Sequence, residues 1–81
     1  MEKIIHAKAL ANYRVKVEFS DGLTGVVDLS ARLFGPVFTP LKDPALFQQL
    51  TVDEFGALCW PNGADLAPDA LHKALSMSQA G

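Results

Sequence analysis

Between Tyr13 and Phe19 the chain alternates, with apolar side chains at 13, 15, 17 and 19 and Arg14, Lys16 and Glu18 between them. A two-residue period rich in aromatic and β-branched residues predicts a strand with one buried face. Ser20-Asp21-Gly22 follows, a three-residue hairpin loop in which Gly22 can take positive φ. Residues 23–29 then return as the partner strand. Residues 4–10 predict a first strand, closed off by a tight turn at Ala11-Asn12. Residues 4–29 therefore predict a three-stranded antiparallel meander.

Beyond the meander the period changes. Ser30 is placed to cap a short helical turn over 30–34, stopped by Gly35-Pro36. Residues 37–42 read as irregular. Asp43-Pro44 is a helix start, with Asp43 as N-cap and Pro44 in the first turn; Leu46, Phe47 and Leu50 supply the apolar face. Residues 51–53 and 57–60 predict a strand pair about a turn at Glu54-Phe55-Gly56, and Pro61-Asn62-Gly63 breaks the second strand. A last helix is expected to begin at Asp65 or Ala67. It would bury Ala67, Ala70, Leu71, Ala74 and Leu75, keep Asp69, His72 and Lys73 outside, and give way to a frayed tail at 76–81. The order predicts an α+β fold: a small, mostly antiparallel sheet (the N-terminal meander plus the later strand pair) with two or three short helices on one face. At least one sheet edge is left open, an edge that small proteins close by forming a homodimer.

At 81 residues, 49% of them hydrophobic and 20% charged, the chain is read as a single domain over 1–81. That length leaves no room for a doubly wound nucleotide-binding fold or a barrel enzyme. One cysteine, Cys59, allows no intrachain disulfide. The first eight residues carry no uninterrupted apolar run, and no window reaches the roughly 18–20 apolar residues of a spanning helix. The expectation is a cytoplasmic chain without a membrane segment. The net charge of −2 conceals an asymmetry. Residues 1–42 hold six Lys and Arg against four Asp and Glu, a net +2, and residues 43–81 hold one against five, a net −4.

Catalytic chemistry finds little support. His6, His72 and Cys59 lie far apart, without the paired spacing of zinc ligands, so neither metal nor other cofactor is expected. Cys59, between Leu58 and Trp60, reads as a buried, inert thiol. The serines lie in turns, caps or the tail, and the glycines are scattered. Asp53, Glu54, Asp65 and Asp69 fall in the last third of the chain. They admit a second reading, an enzyme or ligand site built on paired carboxylates beside the 60–65 loop. Helix-start and turn chemistry accounts for the same residues. Arg14 and Lys16 would emerge on the outer sheet face, with His6 and Lys8 beside them. Glu18 interrupts that stripe, no aromatics interleave, and the chain as a whole is acidic, so direct nucleic-acid binding is disfavoured.

The distinctive stretch is Trp60-Pro61-Asn62-Gly63-Ala64-Asp65. A lone tryptophan, a rigid proline, an Asn-Gly step and an acidic residue make a stiff corner. One reading is structural: Trp60 covers the sheet edge and Asp65 caps the helix. The other makes Trp60, Asn62 and Asp65 a binding patch, since aromatics beside hydrogen-bonding groups anchor interfaces.

Taken with Tyr13…Phe19-Ser20-Asp21-Gly22, Val27-Asp28-Leu29 and Pro40-Leu41-Lys42-Asp43-Pro44…Phe47, the run Trp60-Pro61-Asn62-Gly63-Ala64-Asp65-Leu66 resembles the bacterial domain of unknown function 2442 family over about residues 4–72. The resemblance implies a small α+β domain without catalytic residues or a cofactor to carry over. It also implies kinship with components of two-protein, toxin–antitoxin-style systems, some of which add a helix-turn-helix domain that this sequence lacks. The expectation is a non-enzymatic protein-interaction module, antitoxin-like, that meets a protein partner or its own second copy through the corner or an open sheet edge.

Overall fold

The computed structural model describes residues 2–80. The alternation becomes strand β2, Arg14–Phe19, in which Val15, Val17 and Phe19 are buried while Arg14 and Lys16 face out. It pairs antiparallel with β1, Ile4–Leu10, and with β3, Thr24–Asp28, in the order β1-β2-β3. Tyr13 lies just outside β2. Asn12 and Tyr13 take left-handed φ of 62° and 60° in a 3-10 turn, Ala11–Tyr13, that reverses the chain between β1 and β2. A bulky residue rarely adopts that conformation. Here the Tyr13 hydroxyl donates to the Lys42 carbonyl at 2.6 Å, and its ring meets Phe47 edge-on at 5.5 Å.

Residues 30–42 differ from expectation. A 3-10 turn, Ser30–Arg32, follows, with Leu29 rather than Ser30 at its N-cap and no side-chain cap; the Asp28 carboxylate accepts from the Ser30 amide at 2.9 Å. Gly35-Pro36 starts a helix instead of stopping one, because proline lacks only a donor that the first turn leaves unpaired. That helix is α1, Gly35–Phe38, and a second 3-10 turn, Thr39–Lys42, buries Leu41. Helix α2, Pro44–Phe47, begins as predicted, with Asp43 Oδ1 accepting from the Ala45 amide at 3.0 Å.

A second sheet runs β4 (Thr51–Val52), β5 (Leu58–Cys59), β6 (Asp65–Leu66), again antiparallel. Strand β6 was not anticipated. Pro61-Asn62-Gly63 does not merely end β5 but turns it into a hairpin. Asp65 therefore sits in a strand opposite Cys59, and the last helix, α3, starts at Pro68 and runs Pro68–Ala80. Of the expected tail, 76–80 continues this helix and Gly81 lies outside the described residues. Among residues 68–76 of α3, Leu71 and Leu75 are buried; Ala67, just before the helix, Ala70 and Ala74 stay exposed, and His72 is half-buried rather than outside. Two leucines four positions apart form a stripe narrower than the five-residue face expected.

The β2–β3, β4–β5 and β5–β6 hairpins share one construction, which the β1–β2 turn does not follow. Phe19, Asp53 and Trp60 each accept, at the backbone carbonyl, from the glycine three positions on. Their own amides donate to the residue after it, Leu23, Ala57 and Ala64. The loops are Ser20-Asp21-Gly22, Glu54-Phe55-Gly56 and Pro61-Asn62-Gly63, with glycine φ of 92°, 79° and 93°. This is a turn closed by a left-handed residue, where glycine avoids the Cβ clash. At Gly56 space adds to the demand. A Cβ there would lie 2.4 Å from Lys3 Cβ and 2.9 Å from Lys3 Cα, because the Gly56 carbonyl takes the Ile4 amide at 3.1 Å and stitches the two sheets together.

The core runs from Ile4, Val15, Val17 and Phe19 through Leu29, Leu41 and Phe47 to Leu58, Trp60 and Leu71. Among the described residues no helix is long and apolar enough to cross a membrane.

Candidate functional site

The corner at 60–65 is built from inside out. Trp60, at the end of β5, points inward and is 4% exposed. Its indole N–H donates to the Phe47 carbonyl at 3.1 Å, and its ring tilts against Phe47 at 5.9 Å, continuing the aromatic row from Tyr13. A buried tryptophan satisfies its single donor in this way. The indole thus ties the corner to the end of α2.

Asn62 braces the other side. Its Oδ1 accepts from the Ala64 amide at 3.2 Å, closing the turn, and its Nδ2 donates to the Val37 carbonyl of α1 at 2.9 Å. Asp65, in β6, is exposed. The structure therefore brings Trp60 and Asn62 onto one clasp, indole inward and amide at the surface, and leaves Asp65 one strand step beyond it. Trp60 offers a partner no ring surface. What the clasp presents outward is the Pro61-Asn62-Gly63 tip and the segment that Asn62 grips, where Phe34 is 71% exposed and Val37 44%. The sequence predicts a helical turn over 30–34, which hides Phe34; in the structure it is extended, at the N-cap of α1.

Asp53 Oδ1 accepts from the Phe55 amide at 2.8 Å and the Ala57 amide at 3.0 Å, closing its own hairpin. Glu54 and Asp69 are exposed. Cys59 is half-buried rather than buried, its Sγ 3.1 Å from Thr51 Oγ1. Among the described residues no three His, Cys, Asp or Glu side chains are grouped to hold a metal ion. On the outer face of the first sheet the register sets His6 opposite Glu18, Lys8 opposite Lys16 and Arg14 opposite Asp28. Acidic residues are thus interleaved with the expected basic stripe.

One pair went unread in the sequence. His72 Nε2 lies 2.9 Å from Asp21 Oδ2, and the imidazole stands edge-on to Phe19 at 4.8 Å. The bond from His72, with that from the Leu23 amide, holds the Asp21 carboxyl below the ordinary carboxylate range. The pair straps the β2–β3 hairpin to α3. It borders a shallow groove of about 350 Å³ lined by Glu2, Asp69, His72, Lys73 and Ser76. Fifty-one positions separate the two residues, so no spacing signal announced them.

The chain is thus a two-sheet α+β domain whose Trp-Pro-Asn-Gly hairpin is clasped by two short helices. The sequence pattern of the family described as protein of unknown function (DUF2442) matches residues 4–75, and the chain belongs to that family. No curated protein and no solved structure matches the chain.

Proposed function

We propose that this chain is a non-enzymatic protein-interaction module, the antitoxin-like half of a two-protein system, and that it meets its partner over the outer side of the corner. The observation that carries the reading is the exposed Phe34 and Val37 beside Asn62, on a segment that an Asn62–Val37 hydrogen bond fixes in place. A large aromatic left in water on a braced surface, next to hydrogen-bonding groups, has the makings of an interface anchor. Asn62 and Asp65 supply polar groups at its rim, and Trp60 holds the platform from within.

The test is co-expression with the product of the neighbouring gene, followed by co-elution. Phe34→Ala and the double variant Phe34→Ala/Asn62→Ala are expected to lose the complex while keeping a native circular dichroism spectrum. Undiminished co-elution of both, or no complex with the wild type, would overturn the reading.

A further inference from the structure

The outer face of the first sheet carries an arrangement that packing does not account for. Across β1 and β2, His6 stands opposite Glu18 and Leu10 opposite Arg14, and Arg14 in turn faces Asp28 of β3. At either end of the face an acidic residue therefore has a basic or imidazole neighbour. The rung between them differs. Lys8 lies directly opposite Lys16, both are exposed, and beyond Lys16 the third strand offers only Val26. Like charges in directly opposed positions destabilise an antiparallel pair. Among the described residues neither ammonium group has a hydrogen-bond or ion-pair partner. The pair opens onto a shallow cleft of about 300 Å³, lined by His6, Lys8, Lys16 and Glu18 over Ala7 and Val17.

We propose that this cleft binds a small, hydroxylated phosphate monoester, its phosphoryl group held between the Lys8 and Lys16 ammonium groups. Charge complementarity selects this occupant. Directly opposed residues have Cβ atoms about 4.5–5.5 Å apart, so two flexible lysine stems reach one group from both sides. A phosphate monoester carries a charge of about −1.5 to −2 near neutral pH and three strong acceptor oxygens. It matches two ammonium groups, each a single charge with three donors, in charge and in hydrogen bonds. A lone carboxylate would leave half of the opposing charge unanswered.

The neighbouring acids set the size of the ligand. Glu18 lies one rung to one side of the lysine pair and Asp28 one rung to the other. A nucleic-acid backbone laid along the face would bring further phosphates against those carboxylates, whereas a single phosphoryl group sits between them. Glu18, within the cleft, repels a second phosphate and accepts from a hydroxyl group. The ligand class is therefore a phosphorylated polyol or sugar.

None of these residues belongs to the corner, so the two readings fail separately. The test is titration of the full chain with glycerol phosphate, inorganic phosphate and glycerol, followed by amide chemical shifts. Low ionic strength keeps the exposed charges unscreened. Saturable shifts at residues 6–8 and 16–18 are expected with glycerol phosphate, weaker ones with inorganic phosphate and none with glycerol. Lys8→Gln and Lys16→Gln should each raise the dissociation constant about tenfold, and Arg14→Gln, whose charge already faces Asp28, by less than about twofold. Glycerol phosphate should also raise the Tm of the wild type. Lys8→Gln, relieved of the opposed charge, should melt no lower than the wild type and gain nothing from the ligand. Absence of saturable shifts, or shifts that both lysine variants keep, would overturn the proposal. Equal loss in Arg14→Gln would overturn it as well, by showing diffuse attraction rather than a site. Equal affinity for inorganic phosphate would defeat the esterified ligand, and tighter binding per phosphate of single-stranded DNA would defeat the small one.

Discussion

Replacing Trp60 separates an inward brace from an outward contact. Trp60→Phe keeps a ring against Phe47 but deletes the indole donor. The Phe47 carbonyl is not orphaned, since the Leu50 amide also reaches it at 3.3 Å. The loss is therefore a net hydrogen bond, about 0.5–1.5 kcal/mol. The smaller phenyl adds about 1 kcal/mol in lost contact. Trp60→Ala removes the whole ring from a site 4% exposed, and about 3–5 kcal/mol is expected. For an 81-residue domain the total stability is of the order of 4–12 kcal/mol. Trp60→Phe should then unfold cooperatively at a Tm lower by about 6–20 °C, and Trp60→Ala at one lower by about 12–40 °C. Urea and thermal unfolding followed by circular dichroism measure both. A Trp60→Ala variant within about 0.5 kcal/mol of the wild type would refute the reasoning, because only an exposed indole could be lost so cheaply.

Gly56→Ala combines left-handed φ strain with a clash against the Lys3 backbone, and should cost roughly 2–4 kcal/mol in thermal unfolding. Asp43→Ala removes the α2 cap and should cost about 1 kcal/mol by urea titration, with the spectrum unchanged. The lowered Asp21 carboxyl gives a pH signature. Stability from a depressed acid is fully present above its unfolded value and is lost as pH falls through the folded one. The wild type should therefore weaken below about pH 4. Asp21→Asn should show a shallower loss over that window, Asp28 supplying the remainder. Equal slopes in acid titrations followed by circular dichroism would contradict the assignment.

The meander was legible because its cause is local. Val15, Val17 and Phe19 alternate with charges, and Ser20-Asp21-Gly22 closes the turn unaided. The Asp43-Pro44 start was legible for the same reason. Strand β6 was not, since two residues carry no period, and Asp65 ahead of Pro68 has the chemistry of a helix start. The spacing of Gly22, Gly56 and Gly63 held the missing signal, as each closes a three-residue loop and the third could have been read by analogy with the first. Gly35-Pro36 misled because the pair suits both a stop and a start, and the choice rests with the Asn62–Val37 bond, 25 positions distant. The corner was visible as a stiff loop, but which side of it faced water depends on where Phe47 lies. His72 and Asp21 meet only through the packing of α3.

The inner side of the corner is core, and its outer side is the surface proposed to receive a partner. Hydrogen exchange of the chain, free and in complex with its co-expressed neighbour, tests this most directly. New protection is expected in residues 34–37 and 61–65, with the outer face of the first sheet unchanged. Protection confined to other segments would contradict it.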